Sequence, residues 1–196
     1  MKYAKKNRAM ISAAVLAVVA TAAVACSSLS HATTTSSPPA KGAPASLAGG
    51  GQVDSLLQSG LTQAERQKWS AATTSFQKVL AIDPSNFYAD YDLGWIAQSR
   101  GSSNEALSYY KRCLAANASY TPAMYNEAIL LETSDPQQAI GVYQKIVNID
   151  PRASTAYLRL ALVQAEQGDM TDAMANHAKA VSIDHALSKF KLPATN

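Results

Sequence analysis

Tyr88, Tyr91, Asp92, Trp95, Gln98 and Ser99 stand at i, i+3, i+4, i+7, i+10 and i+11, the spacing that gathers side chains on one helical stripe. Rings, a carboxylate and an amide arranged this way recognise a partner without reacting with it. The rings supply area to bury, and an amide can pair with peptide groups that would otherwise lose their hydrogen bonds. Two further sets follow at matching positions: Tyr125, Asn126, Ile129 and Glu132, then Leu158, Arg159 and Leu162. Together they suit an extended stretch of another polypeptide.

Covalent chemistry has no comparable set. His31 lies in a Ser/Thr-rich stretch, while His177 and His185 are eight apart with no carboxylate or thiol at metal-ligand spacing. No phosphate loop is present, and no serine has a glycine-flanked elbow. Met170 and Met174 fall one helical turn apart and read as core filling. Cys26 and Cys113 form no disulfide framework, and Cys113, one residue before the apolar Leu114, reads as a small buried residue. The expectation is no catalytic residue, no metal and no cofactor.

What positions the stripe is a repeat. Ala72, Ala106, Ala139 and Ala173 come into register at spacings of 34, 33 and 34. The same offsets align Phe76, Tyr110, Tyr143 and His177, then Leu80, Leu114, Val147 and Val181. Pro84, Ala118, Pro151 and His185 follow, each after Asp or Asn, and Gly60, Gly94, Ala128 and Ala161 hold a small residue upstream. A fixed period of this length marks stacked supersecondary units, none of which buries its apolar face alone. The small residues allow two helices to approach closely, and the bulky ones recur on one face. Ser102-Ser-Asn-Glu105 reads as a capping box, and Asp135-Pro-Gln-Gln138 and Thr121-Pro122 read as helix starts. The pattern predicts eight helices near 54–66, 69–81, 87–100, 103–116, 121–133, 136–148, 154–167 and 170–182, and an all-α domain.

Leu93-Gly94, Gly101, Ala106, Tyr110 and Leu114, with the Asp83-Pro84 and Asp150-Pro151 breaks, resemble the tetratricopeptide repeat. The resemblance runs from Val53 to Leu187, in copies 53–86, 87–120, 121–153 and 154–187, with 188–196 as a short cap or tail. It implies a right-handed α-solenoid of four helix–turn–helix units whose first helices line a concave groove. Tyr88, Tyr91, Asp92, Trp95, Gln98, Tyr125, Asn126, Ile129, Leu158 and Arg159 would then face a partner there. Tyr91 and Tyr125 also stand where the family often carries a packing tyrosine. Leu57 and Leu61 occupy the places at which chaperone-tail-binding relatives carry basic residues, so capture of an acidic tail is not expected.

Residues 1–52 are of another kind. Lys2, Lys5, Lys6 and Arg8 precede an uncharged apolar block from Met10 to Ala25. A basic end before such a block is an export signal that leaves the following chain facing outward. Sixteen residues rise about 24 Å against a hydrocarbon core of about 30 Å. Segment 1–26 therefore reads as a signal-anchor or as a cleaved signal after Ala23-Val24-Ala25; Val24-Ala25-Cys26-Ser27-Ser28 also resembles a bacterial lipoprotein box, which implies lipidation of Cys26. From Ser27 to Gln52, 21 of 26 residues are Ser, Thr, Ala, Pro or Gly, a composition that cannot order itself and reads as a linker over 27–52.

The net charge of +3 divides unevenly. Residues 1–52 carry five basic and no acidic groups, whereas 53–196 carry twelve basic against fourteen acidic. A nucleic-acid binder needs a basic stripe on its folded part, so nucleic acid is not an expected partner. The sequence points to a non-enzymatic scaffold at the extracytoplasmic face of a cell membrane, binding an extended peptide or helix of another protein. The alternative is a structural module acting through self-association, a homodimer joined at its weakly capped C-terminal end.

Overall fold

The small residues that recur every 33 or 34 positions mark where helices meet. The computed structural model describes residues 46–193 and shows eight α-helices and a final 3-10 turn. Helix α1 (Ser46–Glu65) pairs with α2 (Trp69–Ile82), and α3 (Phe87–Ser99) with α4 (Ser103–Ala116). Next, α5 (Thr121–Ser134) pairs with α6 (Pro136–Ile149), and α7 (Ser154–Glu166) with α8 (Met170–Ile183). Each second helix also packs on the first helix of the next pair, and no strand occurs among the described residues. The fold is an all-α solenoid of four helical hairpins.

Close approach within a hairpin is enforced by size. A Cβ on Gly94 would lie 2.6 Å from Cε1 of Tyr110, and one on Gly60 would meet Phe76 at the same distance. Ala72, Ala106, Ala139 and Ala173 are fully buried, as are Phe76, Tyr110 and Tyr143. The core runs on from hairpin to hairpin: Phe76 and Val79 pack with Leu93 and Ile96, and Tyr143 and Ile146 with Leu160 and Val163.

The turns are equally periodic. Gly101 (φ 79°) and Gly168 (φ 90°) end α3 and α7 in the left-handed region, and Gln67 (φ 56°) does so after α1. In all three the next residue's N–H bonds back five residues: Lys68 to Gln63, Ser102 to Ala97, Asp169 to Gln164. The third copy lacks this residue, and Asp135 both ends α5 and caps α6, accepting from Gln138 N–H at 3.0 Å. Between hairpins, Asp83, Asn117, Asp150 and Asp184 each accept from the N–H two residues on, at 2.9 to 3.2 Å. That is the work of the Asp or Asn at each repeat break.

Two expectations change here. Helix α1 begins at Ser46, so 46–52, assigned by composition to the linker, is helical; a turn anchored by Val53 and Leu56 extends at little cost once nucleated. The capping box at Ser102 and Glu105 does not form, because the Ser102 N–H that Glu105 would accept already bonds to Ala97 C=O at 2.9 Å. Residues after α8 make a 3-10 turn (His185–Lys189) with Leu187 buried, and His177 Nε2–H donates to the Phe190 carbonyl at 2.7 Å. His177 thus pins the tail, in addition to packing where Phe76, Tyr110 and Tyr143 do. The signal or anchor at 1–26, the lipidation at Cys26 and the linker over 27–45 lie outside the described residues. Among the described residues no helix is long and apolar enough to cross a membrane.

Candidate protein-binding face

The first helices of the second, third and fourth hairpins are tied to each other along one line of positions. Gln58, Asp92, Asn126 and Arg159 occupy the same place in the four copies, two residues before Gly60, Gly94, Ala128 and Ala161. Asn126 Nδ2–H on α5 donates to the Tyr91 hydroxyl on α3 at 3.5 Å. Arg159 Nε on α7 meets Glu132 Oε1 on α5 at 2.9 Å. Two cross-links of this kind place α3, α5 and α7 side by side and make their polar columns one continuous face.

Beneath that face each hairpin carries an internal bond. Tyr110 Oη–H donates to Gln98 Oε1 and Tyr143 Oη–H to Glu132 Oε1, both at 2.7 Å. The outer hairpins use neighbouring positions: Ser75 donates to Gln63 Oε1 at 3.2 Å, and Asn176 to Gln164 Oε1 at 2.8 Å. Where the first copy has Phe76, with no hydroxyl, Ala64 replaces the acceptor. Gln98 and Glu132 are therefore held by their own hairpins before any partner arrives.

An aromatic cluster stands at the start of α3. Tyr88 is 50 % exposed, its ring 4.1 Å from Phe87 and 5.9 Å from Tyr120 between centroids. Tyr91 lies 5.3 Å from Tyr120 and 6.0 Å from Tyr110. Asp92 sits half-buried beside this cluster, and desolvation pushes its carboxyl up to about 7. Burial likewise raises Glu132, a shift that Arg159 opposes. The Cys113 thiol behind the cluster is fully buried and pushed up to about 12, which leaves it unreactive.

A family profile described as "Tetratricopeptide repeat" matches residues 57–121 and 129–183. The chain belongs to the tetratricopeptide-repeat family. A curated relative, "Tetratricopeptide repeat and J domain-containing co-chaperone DNJ1" of Fusarium oxysporum f. sp. lycopersici, is 30 % identical over 117 residues, 56 % of this chain. The chain spans 22 % of that relative's length. Among solved structures, MamA is similar at a TM-score of 0.63 and 24 % identity, over 70 % of this chain and 81 % of that one. YrrB, described as a TPR protein with an unusual peptide-binding site, is similar at 0.60 and 21 %, over 70 % and 72 %. At these identities the two structures speak for the fold alone.

Within this tetratricopeptide-repeat fold the expected groove residues separate into three groups. Tyr88, Tyr91, Asp92, Gln98, Tyr125 and Ile129 keep surface on the first helices. Leu158, Arg159 and Asn126 are only 3 %, 4 % and 8 % exposed, and the latter two are held by Glu132 and Tyr91. Trp95 is half-buried and packs edge-on to Trp69 at 5.6 Å, so it also joins α2 to α3. Tyr120 was missing from the sequence reading because it lies outside any helix. The other breaks carry Asn86, Ala153 and Leu187 at that place, so the departure from the repeat is an aromatic ring there.

Proposed function

We propose that this protein is a non-enzymatic scaffold whose first-helix face takes up an extended peptide or helix of another protein. The observation that carries this is the cross-linked row of α3, α5 and α7, beside which Tyr88 stands half exposed without a structural need for that exposure. Large aromatics at the edge of a preorganised polar face are what binding hot spots are made of. The co-chaperone named among the relatives is consistent with a role in handling other polypeptides. An outward-facing domain held at a membrane through residues 1–26 completes the reading. Intact mass of the membrane-extracted protein separates a lipidated Cys26 start from a cut or a full-length chain.

The test of the face is Tyr88→Ala in the full chain, followed by crosslinking in the native host. Capture of the partner should fall at least about tenfold, with the thermal midpoint unchanged, because half of Tyr88 is already in water. Undiminished capture would remove the proposal.

A second reading rests on the other end. Helix α8 buries only Ala173 and Ala180 along its length, and Met174, expected to fill the core, is 62 % exposed. A final helix covered beyond its own hairpin by a 3-10 turn alone among the described residues, with an exposed methionine, suits self-association.

A further inference from the structure

We infer that the segment bound on this face is basic, with an arginine or lysine seated against Asp92 and the tyrosines beside it. The inference rests on the first-helix face being the binding face, and adds the partner's chemistry. Other buried or half-buried charges have a counter-charge or a hydrogen bond: Arg159 meets Glu132 at 2.9 Å, Asp90 meets Arg112 at 3.1 Å, and Glu127 feels Lys111 and Lys145. Asp83 and Asp184 accept hydrogen bonds in the repeat breaks.

Asp92 differs. Among the described residues no hydrogen bond or ion pair reaches its carboxylate, and partial burial among the aromatic side chains pushes it up. The titratable groups that feel it are Tyr110 and Cys113 on α4 and Tyr120 before α5, none of which carries positive charge. A carboxylate partly withdrawn from water and left without a counter-charge is destabilised, and a cation supplied by a partner offsets that cost. The same partner cation gains from the faces of Tyr88, Tyr91 and Tyr120, whose rings lie 5.3 to 5.9 Å apart around Tyr120. A guanidinium, which can pair with the carboxylate and stack on a ring together, should outrank an ammonium.

The test is selection of twelve-residue peptides from a phage-displayed random library on the immobilised full chain, as wild type, Asp92→Asn and Tyr88→Ala. Wild type should enrich peptides with Arg or Lys at one recurrent place. Exchanging that residue for Gln in a selected peptide should weaken binding about tenfold to wild type and leave binding to Asp92→Asn unchanged. Circular dichroism of Asp92→Asn should match wild type, since the substitution removes an uncompensated charge. Tyr88-dependent peptides lacking any basic preference, or a preference kept by Asp92→Asn, overturn the inference and leave the face standing. Peptides indifferent to Tyr88 overturn both. Light scattering that reports a dimer abolished by Asp92→Asn would make the occupant a second copy, and overturns the basic-partner assignment.

Discussion

Gln67 holds a backbone conformation that its side chain opposes. At φ 56° it stands where Gly101 and Gly168 stand in the second and fourth copies, and the same five-residue back-bond follows it. A left-handed conformation costs an L-residue about 1 kcal/mol or more, against a smaller entropic loss for glycine. Gln67→Gly should therefore raise stability by about 0.5–1 kcal/mol in urea titrations of the full chain, and Gly101→Ala should lower it by a similar amount. A change of the same sign for both substitutions, or no change for either, would mean that the turn does not constrain the hairpin. Gly94 is bound by a different limit, space, because the Tyr110 ring lies where its Cβ would be.

A hairpin in this array is joined by matched pairs, and the copies show which residues exchange together. Tyr110 with Gln98 and Tyr143 with Glu132 form hydroxyl bonds, while Phe76 faces a copy in which Ala64 stands at the acceptor's place. Removing one partner strands a polar atom; removing both restores a combination the first hairpin already uses. Tyr110→Phe should cost about 1 kcal/mol, whereas Tyr110→Phe with Gln98→Ala should recover most of that loss. Strictly additive costs in chemical denaturation would count against the pairing. The stripe at Tyr88, Tyr91, Asp92, Trp95 and Gln98 was legible at this scale because helical periodicity alone assigns its face. Which members remain available was not legible, since Trp95 turns edge-on to Trp69 on another helix.

The array as a whole has unlike ends. At its C-terminal end the 3-10 turn tucks Leu187 in and His177 ties down Phe190, yet Met174 stays open on α8. If that helix is a contact between copies, light scattering of the full chain at high concentration should report a dimer, and Met174→Glu should return it to a monomer. A monomer at every concentration removes self-association at this end. The face formed by α3, α5 and α7 is independent of that outcome.

Repeat length, helix number and the residues that touch within a hairpin follow from the sequence alone, because they depend on a 3.6-residue period and on size at fixed spacing. Gly94 against Tyr110, and the Asp or Asn at each break, were readable for that reason. Tertiary structure decided which polar residues are already satisfied. Asn126 and Arg159 look available along the chain and are held by Tyr91 and Glu132, 35 and 27 positions away. Asp92, in the same column, is left without such a bond among the described residues. Partners of that kind come from neighbouring hairpins, and only the stacking of one hairpin on the next settles which side chains come within bonding distance.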